Sequence, residues 1–210
     1  MEKDRVVKID IRSRLVTHKE QELLKKSILT TLCNFKNQSV VFVELGVKRA
    51  VTSLYLYVLL SFMKVNFELY CIDSDPRSFI YFKKNLQDKI TKANPAKFFE
   101  MSTVDAAQII DILPNWIFVD ACHCFECVTI DINLWGAKLK EKGHLVLHDT
   151  TSRRDHYQKN FQHNNTRKFG VTRAVKENKM LHGNFKLLDS VDDVNGIEVY
   201  EKVSHYENAT

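Results

Sequence analysis

The alternation of short apolar runs with helical spacing constrains this chain most. The runs Val40 to Leu45, Phe67 to Ile72, Lys97 to Met101, Trp116 to Val119 and His144 to Leu147 are each followed by a turn. A short apolar run bounded by turn residues suits a strand buried on both faces. Between the runs, apolar residues recur three and four apart. Helices are expected over Thr17 to Phe35, Thr52 to Met63, Pro76 to about Lys92, Val104 to Leu113 and Cys127 to Lys140. Thr52 or Ser53 is expected to cap the second helix. Pro76 sits in the favoured first turn of the third. Ile130, Leu134, Ala137 and Leu139 are the expected buried positions of the fifth. Strand and helix in strict alternation predict an α/β fold, a parallel sheet with helices on both faces.

The pattern changes after the fifth run. Thr150 to Phe169 is polar and basic without an apolar period, and reads as a long loop. Its Arg153, Arg154, Lys159, Arg167 and Lys168 are either a solvated surface or a lid over an anionic substrate. A helix from Val171 to Met180 follows, then strands Phe185 to Leu188 and Ile197 to Lys202. Asn195-Gly196 between these strands predicts an antiparallel hairpin. One domain is expected over residues 1–210: an extension at 1–16, a leading helix at 17–39 and the core at 40–203. Three prolines and six glycines leave little material for a linker.

Composition narrows the surroundings. With 44% hydrophobic and 27% charged residues, the chain has material for a folded core. The longest apolar stretch, Val51 to Met63, is too short and too polar to span a bilayer. No signal-peptide core is evident in Met1 to Arg14, and the five cysteines lack the spacing of a secreted framework, so a reducing cytoplasm is expected. A net charge of +5 suits an anionic substrate or weak nucleic-acid contact, and solubility alone explains it equally well. No membrane partner is expected, and assembly into a homo-oligomer is left open.

In an open parallel sheet, ligands bind beyond the carboxyl ends of the strands. Here those ends carry Glu44-Leu45-Gly46, Asp73-Ser74-Asp75, Met101-Ser102, Asp120 and His148-Asp149. Gly46 is expected to let the backbone approach a ligand closely. Asp73, closing the next strand, can accept hydrogen bonds from both ribose hydroxyls of a nucleoside. The turn Gly46-Val47-Lys48-Arg49-Ala50-Val51 has one glycine and serves a pyrophosphate poorly. An adenosine cofactor without phosphate fits better. Cys122-His123-Cys124 with Cys127 invites a zinc reading, but the spacing is not that of a standard finger, and ordinary reduced thiols are expected.

Val43-Glu44-Leu45-Gly46 with Thr52-Ser53, then Ile72-Asp73-Ser74-Asp75-Pro76, resembles the first two motifs of class I S-adenosylmethionine (SAM)-dependent methyltransferases. Asp120 through Glu126, Asp131, Leu134-Trp135 and His148-Asp149-Thr150 are similar to the branch with macrocin-type O-methyltransferases and cephalosporin-hydroxylase-like proteins, related to catechol O-methyltransferases. The resemblance implies a Rossmann-like fold with a C-terminal antiparallel hairpin. It also implies methyl transfer from SAM to a hydroxyl of a small molecule such as a sugar or natural product. It places Glu44, Gly46, Ser53, Asp73, Ser74, Ser102 and Asp120 at SAM. Asp120, Asp149 and Thr150 fall at Mg²⁺ or another divalent cation, and His123 or His148 at the base position. The sequence departs from the pattern at Ala50, Phe125 and Thr150, where the family carries glycine, tyrosine and asparagine. Two rival readings remain: a SAM-binding protein without catalysis, and a nucleic-acid methyltransferase. The second is disfavoured because the Asn/Asp-Pro-Pro-Tyr/Phe motif and a Pro-Cys nucleophile pair are absent.

Overall fold

A computed structural model describes residues 17–151 and 170–203. The extension at 1–16 and the basic stretch at 152–169 lie outside the described residues. In chain order the elements are α1 (His18–Asn34), β1 (Val40–Leu45), α2 (Val51–Phe62), β2 (Phe67–Asp73), α3 (Pro76–Leu86), β3 (Ala96–Glu100) and α4 (Thr103–Ile109). They continue with β4 (Trp116–Val119), α5 (Phe125–Lys138), β5 (His144–His148), α6 (Val171–Glu177), α7 (Lys179–Asn184), β6 (Phe185–Val191) and β7 (Ile197–Lys202).

The strands form one seven-stranded sheet in the order β3-β2-β1-β4-β5-β7-β6. β1 to β5 pair in parallel, and β7 pairs antiparallel with both β5 and β6. This is the expected Rossmann-like sheet with its terminal hairpin. Alternate residues of each strand serve opposite faces. Phe42, Leu69, Trp116, Phe118 and Val146 pack with α1, α2 and α3. Val43, Ile72, Ile117, Val119 and Leu147 pack with α4, α5, α6 and α7. Strand order reverses between β1 and β4, so a crevice opens beyond their carboxyl ends. Among the described residues, no helix is long and apolar enough to cross a membrane.

Several expectations are corrected by tertiary contacts. α2 is not capped by Thr52 or Ser53. Its N-cap is Ala50, buried, left-handed at φ 54° and without a side-chain cap bond. The left-handed region costs an alanine roughly 1–2 kcal/mol that glycine avoids. Ala50→Gly is therefore expected to raise the unfolding free energy by roughly 1 kcal/mol, net of the glycine's greater unfolded entropy. An unchanged or lower urea midpoint would count against that strain.

α3 stops at Leu86 rather than near Lys92. The Tyr57 hydroxyl donates to the carbonyl oxygens of Lys89 (2.8 Å) and Asn94 (3.0 Å) and accepts from the Thr91 amide (3.1 Å), which draws 89–94 into a loop. The late helix divides at Asn178, whose side chain accepts from the Leu181 amide (2.8 Å) and caps α7. α5 begins at Phe125, and its buried face is Val128, Asp131, Ile132, Trp135 and Gly136. Ile130 and Ala137 are exposed instead, Ile130 lining a cavity at the carboxyl ends of the strands. The pattern misleads there because α5 also packs against α7, and a Cβ on Gly136 would lie 2.8 Å from Met180 Cε.

Candidate active site

Beyond the carboxyl ends of β1, β2, β4 and β5 lies a cavity of about 660 Å³, lined among others by Gly46, Asp73, Ser74, Ser102, Asp120, Asp131 and Asp149. That volume is in the range of small-molecule sites. At one end, Asp73 Oδ2 accepts from the amides of Val47 (2.9 Å) and Lys48 (2.8 Å) and from the Ser78 hydroxyl (2.9 Å). Oδ1 accepts from the Asp75 amide (2.8 Å). Asp73 thus ties the β1–α2 turn to β2, and only Oδ1 has acceptor capacity to spare.

Gly46 lines the cavity and has a further reason besides the expected one. At φ +88°, a Cβ would sit 2.3 Å from the Asp120 carbonyl oxygen and 2.5 Å from Ala121 Cα. The glycine is demanded by the close passage of the β4 loop. Ser102 caps α4: its hydroxyl accepts from the Asp105 amide (3.0 Å) and donates to Asp105 Oδ2 (2.6 Å).

Glu44 and Ser53 do not line the cavity. Both are buried, and the Ser53 hydroxyl donates to Glu44 Oε2. Burial, chiefly, pushes the Glu44 carboxyl up to about 8; the Ser53 hydrogen bond opposes this and Asp120 adds to it. Between about pH 4.5 and 8 the folded chain therefore holds a proton that the unfolded chain has released, and stability falls as pH rises. Each pH unit in that window costs up to about 1.4 kcal/mol. Glu44→Gln, neutral throughout, should lose this slope in denaturation series across the window. An unchanged slope would mean that Glu44 is ionised.

At the other end five ionisable side chains alternate in sign. His148 Nδ1 lies 3.2 Å from Asp120 Oδ1 and 3.5 Å from Asp149 Oδ1, while its Nε2 lies 3.8 Å from Glu20 Oε2. His123 Nε2 bridges Asp149 Oδ2 (2.7 Å) and Asp120 Oδ1 (3.3 Å). Burial alone would favour neutral imidazoles, but the facing carboxylates prevail and raise His123 to about 9 and His148 to about 10. In turn, burial opposes ionisation of Asp120, and the charge of His148 with both imidazole hydrogen bonds holds it well below the usual range. His148 is almost fully buried, whereas His123 keeps 24% of its side chain exposed.

Asp120, His123 and Asp149 each offer a ligand atom within 4.8 Å of the others. Two hard carboxylates with one imidazole fit a divalent cation of the Mg²⁺ or Mn²⁺ kind. Thr150 is not brought to this group. Its amide donates to the Gly196 carbonyl (3.3 Å), and it lines a separate cavity of about 170 Å³.

Two participants escaped the sequence reading. Glu20 is fully buried: it closes a capping box with Thr17 and accepts from the Asn195 (3.1 Å) and Gly196 (2.8 Å) amides. Thr17-His18-Lys19-Glu20 carried the capping signal, but nothing local pointed to His148. Asp131 lines the cavity with Oδ1 accepting from Thr103 (2.5 Å) and a buried Oδ2 that lacks a hydrogen-bond partner among the described residues. Burial raises its carboxyl to about 6 against the Thr103 hydrogen bond.

Known proteins share this architecture. The sequence matches the methyltransferase-domain family over residues 43–150. No curated protein matches it. A putative O-methyltransferase from Klebsiella pneumoniae superposes with a TM-score of 0.66 at 9% identity, covering 91% of this chain and 83% of that one. The N-methyltransferase NodS from Bradyrhizobium japonicum WM9 gives 0.58 at 13% identity, covering 88% and 97%. An rRNA methylase from Streptococcus thermophilus gives 0.57 at 10% identity, covering 83% and 93%. Such low identities speak for the fold alone. The family match spans half of the chain, including β1, the β4 loop and the end of β5. The chain belongs to the methyltransferase-domain family and is a SAM-dependent methyltransferase.

Proposed function

We propose that the chain methylates a hydroxyl of a small molecule, with Asp120, His123 and Asp149 at the acceptor end of the cavity and a divalent cation held between them. The observation that carries this reading is the convergence of those three ligand atoms on the wall of the large cavity. When bound, SAM supplies a sulfonium methyl group for in-line displacement, a reaction that depends mainly on positioning. A cation on the two carboxylates would orient the acceptor oxygen and lower its pKa.

The chain's own groups do the rest. Asp73 Oδ1 is placed for one ribose hydroxyl, and Asp131 Oδ2, a buried acceptor without a partner among the described residues, suits the donor groups of the base. Between two carboxylates His123 carries a proton at Nε2. Once those carboxylates are neutralised, it can lose that proton and either ligate or accept the proton of the acceptor hydroxyl. His148, locked against Glu20 and Asp120, is a positioning residue in this reading. Thr150 drops out of the ligand set and His123 replaces it. We place the reaction in a reducing compartment such as the cytoplasm, which suits five cysteines without the spacing of a secreted framework.

Radiolabelled SAM offered with vicinal diols, sugars, sugar acids and RNA, with and without Mg²⁺, tests the reading. Metal-stimulated transfer to a small hydroxyl compound is the expected result. Transfer confined to RNA would move the chain to the nucleic-acid methyltransferases, which have an rRNA methylase among the similar folds. SAM binding with no transfer to any class would favour the binding-protein reading.

A further inference from the structure

The β4–α5 loop carries a second donor set that methyl transfer does not use. The Sγ atoms of Cys122, Cys124 and Cys127 all lie within 4.8 Å of one another, and those of Cys122 and Cys124 are 3.3 Å apart. Three thiolates around one trigonal ion, with metal–sulfur bonds of about 2.3 Å, stand about 4 Å from one another. The spacing here needs only small adjustments to reach that figure.

Burial, chiefly, and the neighbouring thiols push the Cys122 thiol up, so it keeps its proton until a cation displaces it, while the backbone amides around the sulfurs act the other way. The Cys124 amide donates to Cys122 Sγ (3.5 Å), and the Cys127 amide donates to Cys124 Sγ (3.4 Å). Cys124 is the N-cap of the 14-residue α5, where the helix dipole favours anions. Cys122 and Cys127 line the large cavity, so an ion has a path in, while Cys124 is buried behind them. The loop is fixed from outside: the Gly170 amide donates to the His123 carbonyl (2.8 Å), and the Arg173 guanidinium lies 4.3 Å above the Phe125 ring. Only His123 separates Cys122 from Cys124, and its ring turns instead to Asp120 and Asp149. The loop thus sorts its donors by softness, with sulfur on one side and oxygen and nitrogen on the other.

We propose that Cys122, Cys124 and Cys127 form a binding site for one soft, thiophilic d¹⁰ cation, distinct from the hard site at Asp120, His123 and Asp149. Soft thiolates select Cu⁺ and Zn²⁺ over Mg²⁺ or Mn²⁺. A set of three sulfurs suits trigonal Cu⁺ directly. Zn²⁺ would need a fourth ligand from the cavity, such as water. Binding displaces the thiol protons to solvent and changes no oxidation state. The site does not depend on the hydroxyl-methylation reading, because it uses none of the residues assigned to that chemistry.

The test uses the full chain, reduced and kept anaerobic. Zn²⁺ and, separately, Cu⁺ are titrated against a chromophoric competitor, and Co²⁺ serves as a spectroscopic probe for thiolate-to-metal charge transfer. One equivalent of Zn²⁺ or Cu⁺ per chain is expected, with charge-transfer absorption in the Co²⁺ form. Cys122→Ser with Cys127→Ser should weaken binding by about 100-fold or more, whereas Asp149→Asn should leave it unchanged. Circular dichroism checks that the double variant folds, and Cys122→Ser alone, at the more exposed edge, serves if it does not. Failure of the wild type to bind either ion, or binding that survives the serine changes and is lost in Asp149→Asn, overturns the proposal. The methylation assays above read out separately, so the two proposals fail independently.

Discussion

Glu20→Ala is expected to lower the unfolding free energy by about 3–5 kcal/mol, the scale on which removing one partner of a buried ion pair destabilises a protein. Glu20 joins three parts of the chain. It caps α1 through Thr17, accepts two amides of the β6–β7 turn, and faces His148 at the end of β5. Its removal leaves the His148 imidazolium with less compensation and takes the Glu20 carboxylate from two buried amides. Gly196 is tied in place on its other side, where its carbonyl oxygen accepts from the Thr150 amide (3.3 Å).

Both charges also make stability depend on pH. Burial pushes the Glu20 carboxyl up, but the His148 imidazolium at 3.8 Å together with the Thr17 and Gly196 amides outweighs it and holds the group at about 2. A depressed carboxyl contributes stability that is present above its unfolded value of about 4.5 and lost as pH falls through about 2. His148, raised to about 10, contributes fully below about 6.5 and loses that contribution as pH rises through about 10. The contribution of the pair is therefore greatest between about pH 4.5 and 6.5. Urea denaturation of wild type and variant across pH 3 to 9 measures this. A loss under about 1 kcal/mol near pH 6 would show that Glu20 is only a helix cap.

Asp149→Asn should reduce methyl transfer by about a hundredfold or more, the range for removing a group that sets the acid–base state of the reacting centre. Asp149 is held at φ 62°, a left-handed conformation that asparagine also tolerates, so the substitution preserves the turn. What changes is the charge facing His123 at 2.7 Å and the second carboxylate of the cation site. SAM affinity should stay within a few-fold of wild type by calorimetry, since Asp73 and Asp131 lie elsewhere on the cavity wall. Chelator should depress wild-type activity, and Mg²⁺ or Mn²⁺ should restore it. Full activity of Asp149→Asn together with indifference to chelator would remove the metal from the reaction and leave His123 as the unaided base.

The fold was legible because its signals are local. An apolar run such as Val40 to Leu45 needs covering on both faces whatever surrounds it, and the acids that follow such runs fall at strand ends by construction. Asn195-Gly196 announced the turn between β6 and β7 in the same way. Hence Asp73, Asp120 and Asp149, read as strand-end residues, all reach one cavity. The direction of each side chain was not local. Glu44 and Ser53 satisfy each other beneath the cavity floor, because a buried carboxyl takes the nearest donor available. One residue beyond Asp149, Thr150 is drawn to Gly196 and faces the other cavity. Glu20 is far from His148 in sequence, and only the docking of α1 against β5 and β7 brings it into the charge network. Strand positions follow from hydrophobic period, which each segment carries in itself. The partners of a buried charge depend on whichever distant groups the packed chain excludes from water with it, and that is decided only when the sheet and its helices close.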